Sequence, residues 1–184
     1  MAVTATVHRF EVELADIDRG VYESLDMRVA RHPSEDEARV VVRVLARALA
    51  HEEGLEFGRG LSTVEDPALW AHTPTGEIKT WIDVGAPSAE RLHRAAKRAD
   101  QVRVYTNKLQ TALHKVWTTR AIHRAEAIEV TRLPADLVQG LAGQLERNIQ
   151  WYVTVQDGAV SVAQGEQSLD GALVRSSLAD FLEA

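Results

Sequence analysis

Apolar and polar positions alternate near the start of the chain, with Phe10, Val12 and Leu14 before the segment "ADIDRG" and Leu25, Met27 and Val29 after it. Successive strand side chains point to opposite faces, so this pattern around a turn-rich segment predicts a β-hairpin. The period then changes. In "RHPSEDEARVVVRVLARALAHEEG" the residues Ala38, Val41, Val42, Leu45, Ala48 and Leu49 recur at helical spacing. Ser34 reads as the N-cap of this helix, Glu37 as its partner in a capping box, and Gly54 as the stop.

Strand and helix patterns alternate from there on, without repeats or low-complexity linkers. "LEFGRGL", "DPALWAHT" and "EIKTWIDVG" read as strands, Ser88 caps a helix carrying Leu92, Ala95, Ala96 and Ala99, and "QVRVYT" reads as a fourth strand. A helix from about Lys108 to Trp117, a strand "IEVTRL" and a helix after Pro134 follow. The segment "WYVTVQDGAVSVAQ" reads as a second hairpin, because Asp157-Gly158 suits a type I′ turn. We therefore expect an α/β (α+β) fold in one domain spanning residues 1–184. Its centre is a mixed β-sheet flanked by helices, residues 55–105 forming a strand-strand-strand-helix-strand unit, with additional β-hairpins at both termini. Four tryptophans spread along the chain suit its core.

Asp83 breaks the apolar run of Ile78 to Val84. Thr73-Pro74-Thr75-Gly76 reads as a tight turn, and if Thr73 pairs with Gly76 or Glu77, Asp66 falls opposite Asp83 or Val84. Directly opposed strand residues have Cβ atoms about 5 Å apart, and diagonal ones lie within about 8 Å. Two carboxylates at that distance repel and raise at least one pKa, unless a cation sits between them. Glu35 lies on the helical line through Ala38, Val42, Leu45 and Leu49, which flanks the buried side and makes it a third candidate. Structural alternatives stand beside each: Glu35 complementing a helix dipole, Asp66 capping a turn before Pro67, and Asp83 bonding the backbone of "GAPS".

Composition fits an ordinary globular chain, with 184 residues, 45% of them hydrophobic and 26% charged. There is no cysteine, which excludes disulfides and thiolate chemistry and fits a reducing compartment. No segment approaches the roughly 18 apolar residues of a membrane span, and the start lacks the charge and hydropathy pattern of a secretion signal, so a cytoplasmic location is expected. The net charge of −6 hides an asymmetry: residues 91–124 carry 9 basic groups and one acidic. Arg91, Arg94, Lys97, Arg98, Lys108 and Lys115 in this segment are candidate contacts to nucleic-acid phosphate. A solvated helix face paired with acidic neighbours is the alternative. The seven histidines include no HxxxH pair on one helix, which leaves little ground for a zinc site. His32, beside Pro33 and near Glu35, reads more simply as a loop histidine bonded to backbone.

The order helix with Glu, strand, strand with Asp, strand with Asp, helix, strand resembles the core of PD-(D/E)XK nucleases, here over residues 34–106. Independently, "RHPSE", "FGRGL", "DPALW", "WIDVGAP", "VYT" and "WYVTVQDG" resemble the YaeQ family across nearly the whole chain. That family comprises bacterial proteins of unsettled function, and its fold is regarded as a variant of the restriction-endonuclease-like architecture. The resemblance implies Mg²⁺ held by Asp66 and Asp83, with Glu35 as the helix acid. It also implies a lysine two residues after the second carboxylate, where this chain has Gly85. Lys79 shares the face of Asp83 but stands about 13 Å away along a strand. Arg94 or Lys97 from the following helix are candidate replacements for the catalytic cation. "QVRVY" imitates a QxxxY motif of some relatives but falls on a strand pattern. Two functions follow: a Mg²⁺-dependent phosphodiesterase acting on nucleic acid, or a catalytically inactive nuclease-like module that binds nucleic acid or a protein partner.

Overall fold

A computed structural model describes residues 4–184. Alternation does build the first hairpin: β1 (Thr6–Asp16) and β2 (Val21–Arg31) pair antiparallel along their whole length, burying Phe10, Val12, Leu14, Met27 and Val29. The helix that follows, α1 (Glu37–Leu49), starts later and ends earlier than its sequence suggests. Asp36, rather than Ser34, is its N-cap and accepts from the Arg39 amide at 2.7 Å. Ser34 instead bonds the His32 ring, Glu37 pairs with Arg31, and the helix closes at Ala50 rather than Gly54. Glu35 accordingly lies before the cap and not in the first turn.

Almost every side of α1 is covered: Val40, Val41, Val42, Val44, Leu45, Ala46 and Ala48 are all at most 1% exposed. The cause is its position between two sheets. The expected single sheet is in fact two, both mixed. The first has the order β10-β9-β8-β1-β2, adding β8 (Asn148–Gln156), β9 (Ala159–Gln164) and β10 (Gln167–Ala172) to the first hairpin. The second has the order β11-β7-β6-β5-β4-β3, built from β3 (Glu56–Phe57), β4 (Leu69–His72), β5 (Ile78–Val84), β6 (Ala99–Thr106), β7 (Ile128–Arg132) and β11 (Val174–Ser177). The hairpins at the two ends of the chain join through a parallel β1–β8 pair, so that Asp16 stands beside Val155. Phe10 meets Trp151 edge to face at 4.9 Å inside that joint.

One apolar core fills the space between the sheets around α1 and α4 (Ala135–Ala142). A second lies on the far face of the β3–β11 sheet, under α2 (Ala89–Arg98), α3 (Gln110–Trp117) and α5 (Leu178–Glu183), with Trp81, Trp117 and Phe181 in it. Strand β5 is covered on both sides, so Thr80 and Asp83 are buried along with Trp81, Ile82 and Val84. Trp81, Trp117 and Trp151 are buried and Trp70 is partly buried. Truncating a fully buried α1 residue such as Leu45 to alanine should cost about 2–5 kcal/mol.

Strands β4 and β5 are antiparallel neighbours, and β5-α2-β6 is a parallel crossover. Thr73 pairs with Glu77 across the tight turn, its amide donating to the Glu77 carbonyl at 2.8 Å. The register then slips: His72 faces Ile78 while Ala71 faces Thr80, leaving Lys79 as the extra residue of a bulge. Strand β4 begins only at Leu69, so Asp66 belongs to the preceding loop and has no ladder partner. The predicted strand "LEFGRGL" is paired only at Glu56–Phe57, and α3 begins at Gln110 rather than Lys108. "QVRVY" lies within β6, as its alternation predicts. Among the described residues no helix is long and apolar enough to cross a membrane.

Candidate functional site

Parallel strands leave a crevice where their carboxyl ends meet diverging loops, and ligands bind preferentially there in open α/β sheets. In this chain the ends of β5 and β6 open onto a cleft of about 360 Å³. Its walls are the loop 58–68, the segment Gly85–Pro87 after β5, Asn107 and Lys108 after β6, and Asp36, Arg39 and Arg43 from the start of α1. Asp66 and Asp83 both line it, and Glu35 lies against two of its arginines, Arg39 and Arg43. The fold thus brings the candidate carboxylates to one region, but it gives each a guanidinium of its own.

Asp83 and Arg91 form a bidentate pair: Nη2 donates to Oδ1 at 2.8 Å and Nε to Oδ2 at 2.9 Å. The Trp81 indole donates a further bond to Oδ2 at 2.9 Å, and its ring lies under the Arg91 guanidinium at 5.4 Å. Ser88 explains how Arg91 arrives there. Its hydroxyl accepts from the Arg91 amide, fixing the first turn of α2 as the sequence predicts and aiming Arg91 back at β5. The rest of the guanidinium holds the opposite wall, donating to the carbonyls of Val64 and Asp66 at 2.6 Å each.

Asp66 is held by Arg59 through Nε, Nη2 and the backbone amide, at 2.7, 2.9 and 3.2 Å. The Arg59 guanidinium keeps its carboxyl below the usual carboxylate range, against the upward push of burial. At Asp66 the shift is thus downward, opposite in sign to the rise that carboxylate repulsion alone would cause. Glu35 accepts from Arg43 Nε at 2.7 Å and Nη2 at 2.9 Å, and from Arg39 Nη1 at 2.8 Å. Arg43 also donates to the Ala30 carbonyl, so this pair ties α1 to the end of β2. Burial lowers the Arg43 pKa and the Glu35 charge opposes that shift.

These bonds decide how well the residues suit a divalent cation. All six carboxylate oxygens of Glu35, Asp66 and Asp83 accept from a guanidinium. Among the described residues no three acidic or histidine side chains form a group that could hold a metal. Arranged in this way, the donor set does not fit Mg²⁺, which needs carboxylate oxygens free to face it. The expected lysine is missing from the strand as well: Gly85 stands two residues after Asp83, and Lys79 reaches Glu52 at 3.1 Å.

The other candidates are dispersed. Arg94 pairs with Glu90, Arg98 covers Trp81, and Lys97 and Lys115 lie exposed on α2 and α3 away from the cleft. Arg120 also pairs with Glu90, Arg103 stands against Glu129, and Arg124 bonds the Asp100 carbonyl. Within residues 91–124, Arg91, Arg94, Arg103 and Arg120 thus have acidic partners. Lys108 alone among the named phosphate contacts lines the cleft without an acidic partner among the described residues. His32 is a loop histidine bonded to Ser34. Sequence reasoning missed Arg39, Arg43 and Arg59 as the carboxylates' partners. One signal was available, since Arg43 is a lone cation inside the apolar run Val40–Leu45 and such a residue requires a buried anion.

Comparison with known proteins places this arrangement. A family model described as YaeQ protein matches residues 1–172. YaeQ of Salmonella typhi is 30% identical over 175 residues, covering 92% of this chain and 94% of that protein, and YaeQ of Escherichia coli K12 is 28% identical over 174 residues with the same coverage. The crystal structure of YaeQ from Xanthomonas axonopodis pv. citri superposes with a TM-score of 0.87 at 34% identity, covering 95% of this chain and 99% of that one. That of Pseudomonas syringae gives 0.82, also at 34% identity, covering 92% and 94%. From sequence and fold together, the chain belongs to the YaeQ family.

Proposed function

We propose that the protein is a nucleic-acid-binding module built on a variant of the PD-(D/E)XK nuclease core, its cleft receiving a phosphate rather than cleaving it. The observation that carries this reading is the closed Asp83–Arg91 pair. A carboxylate whose two oxygens accept a bidentate guanidinium and an indole is engaged in structure, and breaking the pair would strand a buried charge. The order β3-β4-β5-α2-β6, with Asp66 before β4 and Asp83 at the end of β5, supports the nuclease ancestry. Lys108 and the Arg39 guanidinium offer positive charge to an incoming phosphate at the cleft wall.

Fluorescence anisotropy with labelled single- and double-stranded oligonucleotides in EDTA tests it. Binding is expected at low salt and should weaken as salt rises, each neutralised phosphate releasing about 0.9 of a counterion on duplex DNA. Lys108→Glu should weaken it at least tenfold, and added Mg²⁺ should produce no cleavage. A wild type that binds no oligonucleotide at low salt refutes the proposal.

A second reading, the Mg²⁺-dependent phosphodiesterase, is favoured by one observation: Asp66 and Asp83 line the same cleft. It demands that Mg²⁺ or Mn²⁺ stabilise the fold, by about 2.7 kcal/mol at a hundredfold excess over the dissociation constant. The binding-module reading expects melting temperatures indifferent to either ion, and an Asp83→Asn variant that melts lower with or without them. A metal-induced rise abolished by Asp83→Asn would decide for the enzyme.

A further inference from the structure

On the inner face of the second sheet, beyond the end of α1, lies a polar patch. Strand alternation puts Arg103 and Tyr105 of β6 on the same face as Glu129 and Thr131 of β7, their register partners, and Arg175 and Ser177 of β11 continue the row. The opposite face of these strands is apolar and packs under the helices through Val102, Val104, Ile128 and Val130. Across the gap, Arg19 projects from the β1–β2 turn and Leu49 marks the end of α1. The open space between them, which Glu126 also lines, is about 520 Å³, within the range of small-molecule sites, and shares no lining residue with the cleft at the ends of β5 and β6.

Three guanidinium groups from three separate elements converge here. Arg19 is aimed by its bonds to the buried Asp16 carboxylate at 2.7 Å and to the His51 carbonyl at 3.3 Å. Arg103 bonds Gln101 through Nη2, while its Nε–H is buried and donates to nothing. Glu129 Oε2 stands 3.3 Å from that nitrogen but outside hydrogen-bonding alignment, and its side chain is 70% exposed and free to swing away. Arg175 enters no ion pair among the described residues. The Tyr105 hydroxyl lies within electrostatic reach of all three: burial pushes its pKa up and each arginine opposes that rise.

We infer that this cavity binds a small molecule bearing a phosphate group, gripped by Arg103 and Arg175, with Arg19 at the entrance and Tyr105 on the floor. An orphaned buried donor marks where an acceptor oxygen belongs, and unpaired buried N–H groups are rare in native folds. Guanidinium forks match phosphate oxygens in pairs, and a dianion rewards more than one arginine. Glu129 then acts as a competitor for the anion's place beside Arg103.

Calorimetric titration with pyrophosphate at low ionic strength tests the assignment. Wild type should bind. Arg175→Ala, a change at an exposed strand residue, should weaken binding at least tenfold, and Glu129→Gln should tighten it several-fold. Lys97→Ala, at an exposed residue of α2 that lines neither cleft, should leave this affinity unchanged. Absence of pyrophosphate binding by wild type at millimolar concentration overturns the inference, as does an Arg175→Ala variant of equal affinity. Loss of all binding in Lys108→Ala would place the anion in the other cleft and overturn it too.

Discussion

Arg59 is 71% exposed at its side chain while the Asp66 carboxylate beneath it is 3% exposed, so this ion pair has one face in water and one in protein. Its energy is therefore screened and its pH dependence is the cleaner signal. Asp66 has a folded-state pKa below its unfolded value near 3.9, so the stability it contributes is present above that value and is lost as pH falls through the folded pKa. Arg59→Gln removes the largest cause of the depression. The variant should be less stable than wild type at pH 7, and the gap should close below about pH 4, when urea midpoints are compared from pH 7 to 2.5. A gap of constant size across that range would show that Arg59 acts through packing alone. The same residues show what was legible. The turn Thr73–Gly76 was legible from local chemistry, but the register drawn from it does not hold: β4 starts at Leu69 and the ladder slips at Ala71, so Asp66 reaches the cleft of Asp83 from a loop and not as its strand partner. Their arginines were not found, because Arg59 and Arg91 meet them through loop and helix directions that no spacing rule encodes.

Local signals also decided which elements could be read. Ser88 specified α2 because capping is a contact between near neighbours, whereas Ser34 failed because Asp36 stands closer to the apolar stripe and caps as well. Strands β10 and β11, "QSLDGA" and "VRSS", carry no alternating apolar run and could not be anticipated. Gly85 is the element-scale test of the nuclease resemblance. Its φ is +82° and its amide donates to the Tyr105 carbonyl at 2.9 Å, locking the exit of β5 into a left-handed turn. A Cβ there would meet nothing within 4 Å, so a side chain is opposed by backbone conformation alone. Introducing the lysine that the nuclease resemblance implies, by Gly85→Lys, should cost about 1–2 kcal/mol, lowering the melting temperature by roughly 2–8 °C, and Gly85→Ala should cost the same. Unequal losses in calorimetry would mean that the lysine side chain finds a contact or a clash of its own.

At the scale of the molecule, the sequence hid one decision: the terminal hairpins are not appendages to a single sheet but halves of a second one. Pairing of β1 with β8 joins positions 139 residues apart, and nothing in either strand names the other. Charge is divided in the same way, since the basic run 91–124 is continuous in sequence and divided among α2, β6 and α3 in the fold. Removing residues 148–184 should therefore leave no folded core, because β1, Phe10 and one side of α1 lose their cover. Near-ultraviolet circular dichroism of the truncated chain should lack native signal, and a cooperative melt from residues 1–147 would contradict this. The parallel joint also sets a clock on the ribosome. Chains are made at about 5–20 residues per second, so roughly 7 to 30 seconds separate the emergence of β1 from that of the strand which closes its free edge. Throughout that interval a nascent chain offers one open edge of β1, eight residues of which later pair with β8, to its neighbours, and holding that edge apart is a task for whatever meets the chain at the exit tunnel.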